Sequence, residues 1–378
     1  MYLAKIKIRY HMLILLFVAH NIANSASYQI FPTLAYENPA ALNSINKFTA
    51  IIGTTDIAVG MKYTGTISGI YGTASSNTNI FLPYLRLASR INPKLVTAFD
   101  ISHPVLSNIA YTSSSFVSRL VTDDIIKDTN YSPKLSYQIT DKIAVGLGVD
   151  INQISNAQIN FVAQPSGIMF NQSSAWGYGW DTGLALQLNK SNFLNLSYYS
   201  KINFTHLAGV SQLGNLYRPD FSDNLIIPTT YTLNLVHKPT ELWMLFETIR
   251  YIQWSQEQNL LLKNSVAGDL FFPLNYNDSW SLQIASRYQI LEDWGLGVAA
   301  EYESSPQSVA FRPIALPATS ITLLATSIEH TISKQWSAKL QYAYVFADPR
   351  INQAGPTPQN GHVKIGVNIV DFGVTWKT

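Results

Sequence analysis

The sequence predicts an all-β fold, a transmembrane antiparallel β-barrel of about fourteen strands. Scarce charge, abundant aromatics and repeated apolar–polar alternation predict it. Lys, Arg, Asp and Glu make up only 13% of the 378 residues, where soluble domains average about 25%. Aromatics make up 12%, with 21 Tyr, 17 Phe and 8 Trp. Mean hydropathy is only +0.06. A helical membrane protein would be far more hydrophobic, whereas in a barrel only every second strand residue faces lipid. The 25 basic and 23 acidic residues leave a net charge of +2. Nucleic acid is not an expected partner, because it needs a clear basic excess.

The chain starts like an exported protein. Lys5, Lys7 and Arg9 precede the apolar run "MLILLFVA". Small residues in "ANSASY" then offer cleavage after Ser25 or Ala26. Eight apolar residues are too few to cross roughly 30 Å of hydrocarbon, which needs about 20 in a helix. Residues 1–25 are therefore expected to be a signal peptide. The chain has no cysteine, so no disulfide framework holds the exported product.

The strands follow from period-2 alternation. In "KIAVGLGVDIN", Ile143, Val145, Leu147, Val149 and Ile151 share one face. Ala144, Gly146, Gly148, Asp150 and Asn152 share the other. "WSLQIASRY", "GLGVAAEY", "SAKLQYAY" and "VKIGVNI" behave alike. The polar face is small and sparsely charged, which suits a narrow lumen. Exposed faces of a soluble sandwich would carry more charge. Strands are expected to start near Phe48, Asn79, Lys94, Tyr131, Lys142, Trp176, Phe193, Thr229, Leu242, Ser279, Trp294, Ser320, Trp336 and Val363. Tight connections alternate with long ones, notably residues 102–130 and 303–319. Trp176, Trp180, Trp243, Trp254, Trp280, Trp294, Trp336 and Trp376 flank strands, as aromatic girdles do.

No catalytic, metal or cofactor site is expected. Outside the signal, His103, His206, His237, His330 and His362 are scattered, with no Ser/His spacing and no metal-ligand cluster. "YENPAAL" raises a different question. Its centre, Asn38-Pro39-Ala40, is a short non-helical element, because proline disfavours helix at and before its own position.

Four segments carry a resemblance: "YSPKLSYQITDKIAVGLGVDI", "GWDTGLALQLNKSNFLNLSYYSKI", "YIQWSQEQNL" and "DWGLGVAAEYESSPQSVAFRPIALP". In this order they resemble the FadL-type outer-membrane transporters of long-chain fatty acids and other hydrophobic compounds. The resemblance implies a fourteen-stranded barrel closed by an N-terminal plug, the hatch. It implies passive uptake, with plug-gated sideways release into the membrane. Asn38, Pro39 and Ala40 match the hatch motif, so residues 26–46 are expected to be the hatch and 47–378 the barrel. The expected localisation is the outer membrane of a Gram-negative bacterium. The expected partners are a long-chain fatty acid or other hydrophobic small molecule and outer-membrane lipid, and no sign of oligomerisation is seen. The alternative is a non-transporting barrel, an adhesin or a structural protein.

The chain also departs from the family. Only six residues separate Phe31 from Asn38, so the hatch is trimmed. The basic residues expected to hold a fatty carboxylate align with Asn160 and Asn277. The ligand-channel candidates are Asn160, Asn277, Arg287, Glu301 and Lys339. The last three are also expected to pair across the lumen, since interior charges need partners. In the long loop, Ile109, Tyr111, Phe116 and Leu120 are candidates for a first apolar contact, or for simple packing.

Overall fold

The computed structural model describes residues 38–163, 166–315, 317–354 and 357–378. The expected signal peptide and residues 26–37 of the expected hatch lie outside the described residues. The first strands are β1 Phe48–Ile67, β2 Ile70–Asn92, β3 Leu95–Ser102, β4 Leu106–Ala110 and β5 Asp123–Thr140. Next come β6 Ile143–Ala163, β7 Gly167–Gln187, β8 Asn192–Tyr199, β9 Ile202–Leu213 and β10 Leu216–Ile227. They are followed by β11 Thr230–Thr240, β12 Trp243–Ile252, β13 Asn259–Ser265, β14 Gly268–Pro273 and β15 Ser279–Gln289. The last are β16 Trp294–Glu303, β17 Ile321–Thr331, β18 Trp336–Ala347, β19 Arg350–Gln353 and β20 Gln359–Lys377.

Four pairs, β3 with β4, β8 with β9, β10 with β11 and β18 with β19, each form one stave. The hairpin β13–β14 stands outside the wall. Twenty strands, less four mergers and two hairpin strands, leave fourteen staves. Every pairing is antiparallel, and β20 closes on β1 from Thr49↔Lys377 to Ile67↔Gln359. Closure removes the unpaired edges that lipid could not satisfy.

The faces follow the alternation. Leu147 and Val149 point outward and are exposed, while Ala144, Asp150 and Asn152 are buried inside. Six connections at one end have two or four residues, as at Asp141-Lys142 and Glu241-Leu242. The long loops gather at the other end. There β1 and β2 join through Ser68 and Gly69, both at positive φ (51° and 81°). A two-residue hairpin needs that conformation to match strand twist, and glycine adopts it freely.

Two aromatic belts circle the outside. Trp180, Tyr198, Tyr231 and Tyr251 follow one another across β7, β8, β11 and β12 at 4.9, 5.2 and 6.4 Å. Trp280 on Tyr302 continues the belt at 5.5 Å. At the short-turn end, Trp376 lies between Phe48 (5.4 Å) and Trp336 (6.2 Å). From Trp243 to Tyr251 the strand runs about 27 Å, which a tilt of roughly 35–45° turns into about 19–22 Å of height, near the roughly 25 Å apolar band of such barrels. Trp254 belongs to neither belt, because it packs edge-on against Tyr276, 5.7 Å away, in the loop region.

Several strands extend further than alternation suggests. β2 starts at Ile70, β5 at Asp123, β7 at Gly167 and β20 at Gln359. Residues 102–130 therefore hold β4 and the start of β5 rather than one long loop. These extensions lie beyond the outer aromatic belt. There neither face meets lipid, so the apolar half of the pattern is not needed.

Candidate functional site

The Asn-Pro-Ala element sits inside the barrel at the short-turn end. The element expected to be non-helical is a 3₁₀ helix, Pro39–Ser44, capped by Asn38, because proline is tolerated at the first helical position, where its missing N–H is not needed. The Asn38 side chain accepts from the Ala40 amide at 2.9 Å and donates to the Leu196 carbonyl of β8 at 3.1 Å. The Ser136 hydroxyl of β5 donates to the Ala40 carbonyl at 3.2 Å. Leu42 packs on Ala88, Val96 and Ala98 of β2 and β3. Arg90 of β2 donates to the carbonyls of Ile45 (2.8 Å) and Asn43 (2.5 Å).

The seat for this turn is a cross-strand glycine pair, Gly146 of β6 opposite Gly183 of β7. A Cβ on Gly146 would come within 2.3 Å of the Ala40 nitrogen and the Pro39 carbonyl carbon. One on Gly183 would come within 1.9 Å of the Asn38 side-chain oxygen. The missing side chains are what let the turn lie against the wall.

Above the turn lies a buried polar network. The Lys134 ammonium is 3.6 Å from a carboxylate oxygen of Asp100 and of Asp181, at ion-pair rather than hydrogen-bond distance. Asp150 accepts from Asn130 and Ser132, both at 3.0 Å. Asn152 donates to Asp128 at 2.7 Å. Across the lumen, Ile57, Leu82, Met244, Phe246, Leu323 and Ile369 form one apolar cluster.

The wall is interrupted between β2 and the β3/β4 stave. The β2–β3 ladder ends at Leu85↔Ile101, and β4 makes no register with β2. Its residues reach β2 through side chains, as where Asn108 donates to the Asn79 carbonyl (3.1 Å) and Ser76 accepts from the Ala110 amide (3.0 Å). Between these contacts and the ladder lie His103, Pro104 and Val105. The His103 ring touches the Pro83 carbonyl of β2 (2.9 Å) and the Asp128 carbonyl of β5 (2.8 Å). In a strand, a residue's N–H and C=O point to the same side. Pro83 therefore turns its missing donor toward the break, where no ladder bond is lost.

At the long-loop end is an apolar cavity of about 360 Å³. Val105, Leu225, Trp254, Phe272, Tyr276 and Ile314 are among its lining residues. Asp124, Asp223 and Glu257 line it too. Glu257, in the loop after β12, is 3% exposed. Burial pushes its carboxyl up to about 8, against a smaller opposing effect of the Ile226 amide.

The sequence-derived candidates lie around these features. Asn160 is buried beside the cavity, donating to Asp123 (3.1 Å) and accepting from the Asn171 amide (2.9 Å). Asn277 is exposed, next to the cavity-lining Tyr276. Arg287 pairs with Glu329 at 3.0 Å, Glu301 with Arg250, and Lys339 stands opposite Glu329 in register. Ile109 and Tyr111 are buried in a cluster with Val117 and Ile314. Phe116 stacks on Tyr63 at 6.5 Å, and Leu120 lines the cavity. Sequence reasoning missed Lys134, Asp124, Asp223 and Glu257. Only Lys134 carried a usable signal, since alternation in "YSPKLSYQ" turns it inward with Ser132 and Ser136.

A family model described as outer membrane protein transport protein (OMPP1/FadL/TodX) matches residues 19–367. The chain belongs to this family. It is a family of outer-membrane transport proteins, not enzymes. A long-chain fatty acid transport protein of Salmonella typhi is 24% identical over 234 residues, 55% of this chain and 53% of that protein. The chain thus spans about half the length of that curated relative. Outer membrane protein P1 of Haemophilus influenzae is 22% identical over 317 residues, 72% of this chain and 68% of that protein. Among solved structures, a Pseudomonas aeruginosa FadL homologue superposes with a TM-score of 0.83 at 17% identity, covering 94% of this chain and 96% of its own. The P. putida toluene transporter TodX gives a TM-score of 0.71 at 17% identity, covering 90% of this chain and 93% of its own. These likenesses show a shared fold. In such barrels short turns face the periplasm and long loops the outside, which puts the Asn-Pro-Ala turn at the periplasmic end.

Proposed function

We propose that this barrel takes up long-chain fatty acids or other hydrophobic compounds passively and releases them sideways into the outer membrane. One observation carries the reading: Val105 lies in the wall break and also lines the outer apolar cavity. A ligand held in the cavity is then adjacent to a route through the wall. That route keeps it in apolar surroundings, whereas an aqueous exit would forfeit about 25 cal/mol per Å² of apolar surface. The Asn-Pro-Ala turn acts as the gate, packed at the foot of the interrupted stave through Leu42. Gating needs only that ligand bind the open arrangement better than the closed one.

Uptake of labelled fatty acid and labelled toluene by cells with and without the protein tests this reading. The expected result is faster uptake of at least one compound with the protein present. Equal uptake across both classes would favour a non-transporting barrel. Asn38→Ala with Pro39→Ala is expected to change the uptake rate while leaving heat-modifiable migration on a gel intact. Unchanged uptake would reduce the motif to a turn.

A further inference from the structure

The outer cavity is apolar, yet three acidic residues from three separate elements are among those that line it. They are Asp124 of β5, Asp223 of β10 and Glu257 of the loop after β12. Each is at most 7% exposed. Among the described lining residues there is no Lys, Arg or His. Lys263 lines an adjoining cleft, whose lining also includes Asp223 and Glu257. The Arg312 guanidinium, nearby in the loop after β16, donates to the carbonyls of Gln307, Ala318 and Arg350 and to the Ser305 hydroxyl.

One of the acids is left incomplete. Ser173 donates to both oxygens of Asp223, at 3.1 and 3.0 Å. Glu257 has an oxygen, Oε2, that is fully buried with no hydrogen-bond partner, and the adjacent Trp254 Nε1 is in the same condition. Buried polar groups are normally satisfied. Here both belong to residues lining a cavity large enough for a small ligand.

We propose that the cavity selects hydrophobic molecules carrying an amine and disfavours carboxylates. The proposal rests on the transport reading above and narrows its substrate class. An ammonium group supplies the cation that the three acids lack and donates to Glu257 Oε2. The ring faces of Trp254 and Tyr276 favour a cation beside them. An alcohol makes one such bond without the charge. A carboxylate would bring a further acidic group into an apolar site already lined by three, and burying its charge there without a cation is costly.

Calorimetry on the purified protein in lipid nanodiscs tests this with one carbon skeleton: propylbenzene, phenylpropylamine, phenylpropanol and phenylpropionate. The amine is expected to bind tightest, at least about tenfold above the carboxylate, as charge-assisted hydrogen bonds allow. Glu257→Gln is expected to remove most of that preference. Asp124→Asn gives an independent second variant on another element. Carboxylate binding as tight as amine binding overturns the proposal, as does an alcohol equal to the amine. If propylbenzene still binds in either case, the transport reading stands. Binding of none of the four overturns both.

Discussion

Lys134→Met is expected to destabilise the barrel by about 3–5 kcal/mol, the usual cost of removing one partner from a buried ion pair. Lys134 stands between Asp100 and Asp181, and all three side chains are at most 5% exposed. Methionine fills much of the volume but supplies no charge, so two carboxylates are left facing each other inside the lumen. Denaturant titration of the barrel in lipid vesicles reads the loss as a lower midpoint at unchanged slope. Adding Asp100→Asn and Asp181→Asn is expected to recover most of it, because the uncompensated charge is the larger cost. A triple variant as unstable as Lys134→Met would instead point to lost packing.

Gly146→Val is expected to unseat the Asn-Pro-Ala turn without unfolding the wall. The new Cβ would meet backbone atoms of Pro39 and Ala40, which no side-chain rotation relieves. Overpacking of this kind costs about 1–3 kcal/mol. At 1.4 kcal/mol per tenfold, that lowers the ratio of seated to unseated turn roughly 5- to 140-fold. Valine itself suits a strand better than glycine. Planar-bilayer recordings should show larger and more frequent openings than the parent protein. Gly60→Ala is the control, since its Cβ would meet only ordinary contacts at 3.5 Å. Parent-like conductance in Gly146→Val would mean that the turn does not obstruct the lumen.

Much of the wall was legible because lipid imposes one rule on every strand. Leu147, Val149, Leu282 and Ile284 must face outward, and period 2 then places Gly146, Asp150 and Gln283 inside. Beyond the outer belt that rule lapses. "IYGTASSNTN" at the start of β2 is strand, but its outward face is mostly polar. The site was less legible because its partners are distant in sequence. Gly146 and Gly183 become a seat only once β6 and β7 are in register. Asp124 and Glu257 read as ordinary loop charges, and nothing local shows that both end in one apolar cavity. The break left a fainter trace in Pro83 and Pro104, but two prolines alone do not say that both border one gap.

If ligand leaves through the wall break, holding the break shut stops its release. The chain has no cysteine, so Asn79→Cys with Asn108→Cys introduces the only thiols. The two residues are already in contact between β2 and β4 at the edge of the break, so a cross-link there keeps the two strands from parting. Uptake of labelled hydrophobic compound is measured before cross-linking with a short bifunctional thiol reagent, after it, and after release with a cleavable version. Cross-linking is expected to abolish uptake, and cleavage to restore it. Undiminished uptake through a fully cross-linked barrel would contradict release through the break.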